Sequence, residues 1–134
     1  MTDVYIKGRY DMGRGKSAVI CVKDGKVLYE KVKVWEDEML SYKGYSGAVD
    51  AYNCEIIAAI CGVMIADYYG DTEARILTNT KVQKWYQCFD YPENRELMRL
   101  FEGITLDMYI TSEHIPKDDP NPYNVKVNEM ALFK

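Results

Sequence analysis

The chain has little of what most metal sites and nucleic-acid binders are built from. It contains one histidine, and its four cysteines (Cys21, Cys54, Cys61 and Cys88) form no Cys-x-x-Cys pair. One imidazole and scattered thiols leave no ligand set for a structural zinc site. Three of the thiols lie in the apolar contexts AVICV, IIAAIC and WYQCF and read as small core hydrophobes. A basic excess is also missing. Seventeen Lys and Arg against 21 Asp and Glu give a net charge of -4, which argues against a generic nucleic-acid binder. No apolar run reaches the roughly 20 residues of a bilayer span, and the opening MTDVYIKGRYD lacks the layout of a secretory signal. The expectation is a soluble, cytoplasmic protein with no membrane partner. Gly-x-Gly-x-x-Gly, Walker and Gly-x-Ser-x-Gly fingerprints are absent as well.

What is present suits one folded domain over 1–134. The chain is 48% hydrophobic, and at this size about two-thirds of the unfolded surface should be buried. Twelve tyrosines are many for the length, and Tyr42, Tyr45 and Tyr52 fall close together, as loop packing or as a binding surface.

The apolar pattern orders the elements. DVYIKGRY alternates and predicts a strand over 3–9. A Gly-rich turn over 11–16 follows, and a hairpin-type connection explains Gly8, Gly13 and Gly15 better than a phosphate cradle does. SAVICVK is a second strand. Asp24-Gly25 signals a type I′ hairpin into a third strand, KVLYEKVKVW. The stretch 36–47, acidic and without period, reads as a long loop. From about 50 to 69 the chain is rich in Ala, Ile and Met. Ile56, Ile60, Val63 and Met64 form a helical core stripe, and Gly70 marks the stop. EARILTN predicts a fourth strand, followed by a short helix at 80–88. A helix opened by Pro92 then runs through Phe101 and is closed by Gly103. ITLDMYIT predicts a fifth strand, and a last helix covers about 123–133. A meander followed by strand–helix alternation implies an α/β domain with a mixed sheet.

Two residues stand out as candidates for chemistry. Glu55 sits one position before the Ile56 stripe, so its carboxylate should be at least partly buried and in need of a partner. His114 is the lone histidine and falls in a Pro-rich loop.

This order of elements, with a glutamate on the first helix, resembles the ribonuclease H family over essentially the whole chain. Ile6-Lys7-Gly8-Arg9-Tyr10-Asp11 is similar to the family's first-strand motif of apolar–Asp–Gly–Ser. Asn53-Cys54-Glu55-Ile56-Ile57-Ala58-Ala59-Ile60 is similar to its glutamate-bearing first helix. Ile76-Leu77-Thr78-Asn79 resembles the strand that ends in aspartate, and His114, Asn124 and Asn128-Glu129-Met130-Ala131 resemble the closing His…Asn-x-x-x-Asp-x-x-Ala. The resemblance implies a ribonuclease H-like α/β fold, with a five-stranded mixed sheet and helices on both faces. It implies that Lys7, Glu55, Asn79 and Asn128 stand where the family places four carboxylates that bind two divalent metals and cleave the RNA strand of a hybrid. Among these, only Glu55 keeps its carboxylate. His114 matches the family's loop histidine, which assists proton transfer and product release.

The four positions fall from a formal -4 in the family to neutral here, with the Lys7 ammonium close to where a metal would lie. Magnesium prefers carboxylate oxygens and sheds water reluctantly, so one carboxylate and two amides should hold it poorly. The expectation is a degenerate, non-catalytic member (a pseudo-ribonuclease H) with no cofactor, kept as a binding or assembly module for a protein partner. Its old site would be closed by a Lys7–Glu55 ion pair or reused for that partner. The alternative is a residual or rearranged ribonuclease that acts on RNA–DNA hybrids with Mg2+ or Mn2+, its site shifted onto Asp3, Asp11, Asp50 or Glu113. Binding of a hybrid or other nucleic acid without cleavage stands between the two. Lys81 and Lys84, with Arg95 and Arg99, form the basic strip that could meet phosphates or else a solvated helix face.

Overall fold

A computed structural model of the chain describes residues 1–36 and 38–133. Asp37, inside the stretch read as a long loop, and Lys134, at the end of the domain, lie outside the described residues.

Three ten-residue strands open the chain: β1 (Thr2–Asp11), β2 (Arg14–Lys23) and β3 (Lys26–Trp35). They form an antiparallel meander. Asp24 and Gly25 both have positive φ (51° and 75°), as a type I′ turn requires. The 36–47 reading needs correction. Met39–Tyr42 (β4) and Tyr45–Ala48 (β5) pair as a separate two-stranded hairpin. Its turn, Lys43-Gly44, also has positive φ at both residues (45° and 89°). The strands are only four residues each, too short for an alternation to show.

Helix α1 (Ala51–Tyr68) starts with a reciprocal cap. The Asn53 backbone N–H donates to Asp50 Oδ1 at 2.7 Å, and the Asp50 N–H donates to Asn53 Oδ1 at 2.9 Å. It ends where Gly70 turns the chain with φ +79°. At 18 residues and mean hydropathy 1.3, α1 has the length and composition of a membrane span, but it is the core helix of this domain. Ile56, Ile60 and Val63 are fully buried as the stripe predicts and Met64 is half-buried, yet Ile57, Ala58 and Ala59 off the stripe are buried too, while Tyr52 and Tyr68 stay exposed.

β6 (Glu73–Thr78) then pairs parallel with β1, and β7 (Tyr109–His114) parallel with β6, giving the sheet order β3-β2-β1-β6-β7. Between them lie α2 (Val82–Asp90), a 3-10 turn at Pro92–Asn94 and α3 (Arg95–Ile104). Gly103 does not close α3 but lies within it. The last strand begins at Tyr109 rather than at Ile104, because ITLDM completes the helix and a turn. Helix α4 (Pro122–Met130) ends the chain. The mixed five-stranded sheet therefore carries α1 and its neighbours on one face, against Val4, Ile6, Val19 and Ile76. On the other face Val127 and Ala131, in and just after α4, pack against Tyr5, Ile20 and Leu77. Cys21, Cys54 and Cys88 are buried free thiols, and Cys61 is half-buried.

Candidate functional site

Strand alternation splits the candidate residues between the two faces. Val4 and Ile6 point toward α1, so Tyr5 and Lys7 point toward α4. Gly8 points back to α1, which runs so close that a Cβ there would lie 2.5 Å from the Glu55 nitrogen. This close approach sets Glu55 against the ends of β1 and β6.

Glu55 is 5% exposed. Thr78, paired with Ile6 across the sheet, shares the α1 face and donates its hydroxyl to Glu55 Oε1. The Thr80 hydroxyl donates to Oε2 at 2.9 Å. Burial still prevails and raises the Glu55 pKa, against the two threonine hydrogen bonds and the Lys7 charge. Neither threonine is marked by the family resemblance. Their i, i+2 spacing around Asn79, at the end of a strand, is the signal that could have placed one or both on the glutamate's face.

On the other face, Lys7 Nζ donates to Asn79 Oδ1 at 3.4 Å. Among the described residues, no ion pair joins Lys7 to Glu55, so the expected direct contact is corrected to a through-space attraction. The reason is strand alternation: the lysine leaves β1 on the face away from α1. Burial lowers the Lys7 pKa; Glu55 opposes this, and the positive charges of Lys117 and Arg9 add to it. Arg9 Nε is buried without a hydrogen-bond partner among the described residues.

Asn79 Nδ2 donates to the Ile115 carbonyl (3.0 Å) and to Asn124 Oδ1 (3.1 Å). Asn124, 1% exposed, donates in turn to the carbonyls of Pro116, Lys117 and Asp119. Asn128 Nδ2 donates to the Asn124 carbonyl at 2.8 Å, while its Oδ1 is buried and has no partner among the described residues. One amide network thus ties Lys7, Asn79 and Asn128 together through Asn124, with Glu55 across the strand ends. His114 is not in the Pro-rich loop: it ends β7, opposite Thr78, and its side chain is exposed.

The other acidic candidates are engaged elsewhere. Arg75 binds Asp3 with Nε and Nη2, each at 3.0 Å, and Glu113 with Nη1 at 3.0 Å. Asp50 caps α1. Asp11 is exposed at the first hairpin, opposite Arg14. The basic strip is also divided. Lys81 immediately precedes α2, whereas Arg95 and Arg99 are on α3. Lys84 donates to the Tyr91 hydroxyl at 2.5 Å and lies over the Tyr52 and Tyr91 rings.

A pair of divalent metals does not fit these residues. Both Glu55 oxygens already accept threonine hydroxyls, and Asn79 Oδ1 faces an ammonium. Asn128 Oδ1 is the unpartnered acceptor in this network. Among the described residues, no three His, Cys, Asp or Glu side chains lie close enough together to hold an ion. Beside the network opens a shallow cleft of about 240 Å3, lined by Arg9, Lys117, Asp118, Asp119, Val125, Asn128, Glu129 and Leu132.

No protein-family model matches the sequence, and no curated protein does. Solved structures do match. RNase H1 from the halophilic archaeon Halobacterium salinarum is 13% identical, with a TM-score of 0.71 over 97% of this chain and 93% of that one. The N-terminal RNase H domain of rv2228c from Mycobacterium tuberculosis, solved as a fusion with maltose-binding protein, is 18% identical. Its TM-score is 0.70 over 98% of this chain and 91% of that one. The fold is ribonuclease H-like.

Proposed function

From a ribonuclease H-like fold whose sheet end carries Lys7, Glu55, Asn79 and Asn128, we propose a non-catalytic, cytoplasmic binding or assembly module that has lost two-metal nuclease chemistry. The observation that carries this reading is the state of Glu55. Its two oxygens are taken up by Thr78 and Thr80, while across the strand ends a lysine and three asparagines form a separate network with no carboxylate in it. Two-metal hydrolysis needs carboxylate oxygens shared between ions. Here the oxygens are spoken for and an ammonium repels the ions.

The partner is a protein rather than a nucleic acid. The cleft beside the network sets Asp118, Asp119 and Glu129 against Arg9 and Lys117, with the exposed apolar side chains of Val125 and Leu132 at its edge. Three carboxylates repel a phosphate backbone, whereas mixed charge around apolar contacts is the usual makeup of a protein interface. A labelled RNA–DNA hybrid, incubated with the protein and Mg2+ or Mn2+ and then run in a gel shift, tests this. Neither cleavage nor a shift is expected. Metal-dependent cleavage would instead establish the residual ribonuclease, with Glu55 and His114 as its retained residues. A shift without cleavage would make the module a hybrid binder.

A further inference from the structure

A second cavity lies well away from the Lys7 network, on the α1 face of the sheet edge. Helix α1 packs mainly over β1 and β2 and reaches β3 only at its edge, where Tyr29 meets Cys61. In register, Tyr29, Lys31 and Lys33 of β3 stand opposite Cys21, Val19 and Ser17 of β2, so all three project toward α1. The β4–β5 hairpin closes the other side with Tyr42 and Lys43. The resulting cavity, about 290 Å3, has Val19, Ile57, Ala58, Met64 and Ile65 as its apolar lining. That is close to the lower end of the roughly 300–1,000 Å3 of small-molecule sites, which are mostly apolar with a few convergent polar groups.

The polar groups are asymmetric. Below, the Ser17 hydroxyl is already engaged: Trp35 Nε1 donates to Ser17 Oγ at 3.0 Å, and the Ser17 hydroxyl donates to the Cys54 carbonyl at 2.7 Å. Against the Ile57, Met64 and Ile65 side of the cavity, a sugar or a nucleobase would leave its own polar groups unpaired. At the rim, by contrast, Lys31, Lys33 and Lys43 make no ion pair among the described residues. Lys33 and Lys43 lie only over the Trp35 and Tyr42 rings. Burial raises the pKa of the Cys61 thiol in the cavity wall, opposed first by the Tyr29 hydrogen bond and then by the positive charges of Lys31, Lys43 and Lys33. Lysines on an edge strand also guard against edge-to-edge pairing. That accounts for Lys31 and Lys33 but not for Lys43, which comes from the hairpin tip, nor for an apolar hollow beneath them.

We propose that this cavity binds a small amphipathic carboxylate. Its acyl or aryl part would lie against Ile57, Met64 and Ile65, and its carboxylate at the rim between Lys31, Lys33 and Lys43. The inference is independent of the reading given to the Lys7 network. Titration calorimetry on the full chain with octanoate and with 1-octanol tests it. Octanoate should bind at least tenfold more tightly than 1-octanol, and added salt should weaken it. The combined variant Lys31→Gln, Lys33→Gln, Lys43→Gln should bind octanoate at least tenfold more weakly while 1-octanol binding stays unchanged, with near-UV circular dichroism checking that the variant folds. If it does not fold, methyl chemical shifts of the parent protein decide. Octanoate should move the Ile57, Met64 and Ile65 methyls first. Equal affinity for the two probes, an unaffected folded variant, no octanoate binding, or shifts confined to other residues would each overturn the proposal.

Discussion

Where β1 begins, charge is matched on every side. The Asp71 carboxylate accepts the Thr2 hydroxyl at 2.9 Å and pairs with Lys23 at 3.1 Å and the N-terminal amine at 3.5 Å, while Arg75 holds Asp3 and Glu113. Burial pushes the Asp71 pKa up, but the Thr2 and Lys23 hydrogen bonds, the Glu73 N–H and the amine together hold it at about 2. Farther along the strand, at Lys7, both charges are disfavoured: Glu55 is pushed toward its neutral form by burial, and so is Lys7. Opposite charges at this end attract without touching, and desolvation exceeds the attraction. One end of the strand thus pairs its charges directly, whereas the other buries a carboxylate and an ammonium that are held by neutral hydroxyls and amides instead of by each other.

Gly8→Ala tests how tightly α1 is packed on β1 at the Lys7 end. Its Cβ would lie 2.5 Å from the Glu55 nitrogen and 2.8 Å from Glu55 Cβ. A loss of about 3 kcal/mol or more in urea unfolding is expected, and a loss below about 1 kcal/mol would show that α1 can move away from β1.

The next largest effect should come from Lys7→Asp, Asn79→Asp and Asn128→Asp made together. Four carboxylates would then repel one another in the absence of metal. Magnesium or manganese at about a hundredfold excess over Kd should return about 2.7 kcal/mol, read as a rise in Tm. A folded triple variant that neither binds nor is stabilised by divalent metal would detach these positions from any disabled nuclease site.

Asp71→Asn probes the matched end. The folded pKa lies below the ordinary 3.8, so the stabilisation is present above that pH and is lost as pH falls toward 2. The variant should be about 1–2 kcal/mol less stable at pH 7, the partly exposed partners limiting the value. The gap should close as the parent is titrated from pH 4 to pH 2. A gap that persists at pH 2 would assign the effect to packing instead of charge.

Lys7→Met should have the smallest effect. Replacing a half-buried ammonium held by one long hydrogen bond should be neutral or stabilising by up to about 1 kcal/mol at pH 7. A loss above about 2 kcal/mol would mean that the attraction to Glu55 outweighs desolvation and that the two ends are not so different.

Much of the fold was legible because local signals agreed with the global arrangement. The Asp24-Gly25 turn, the alternation of β1 and the apolar run of α1 each follow from backbone sterics and burial, which act over a few residues. Where local signal was thin, the reading slipped. β4 and β5 are too short for period, and ITLDM alternates like a strand although Phe101 to Thr105 still hydrogen-bond as a helix end.

The identity of the residues at the Lys7 network was likewise set by sequence: one carboxylate, one ammonium and two amides at the four positions, whatever the packing. Their contacts were not. Only the assembled sheet decides that Lys7 leaves β1 on the face away from Glu55 and that Thr78 and Thr80 meet the carboxylate from β6 and the residues after it. Only the assembled sheet places Asn124 between Asn79 and Asn128. The cavity under Lys31, Lys33 and Lys43 exists for the same reason. Those lysines are 12 residues apart at most in sequence, but the space between them depends on how far α1 reaches across the sheet and where the β4–β5 hairpin folds back. Residue chemistry is local, and the distances that turn it into a site are made by elements far apart in the chain.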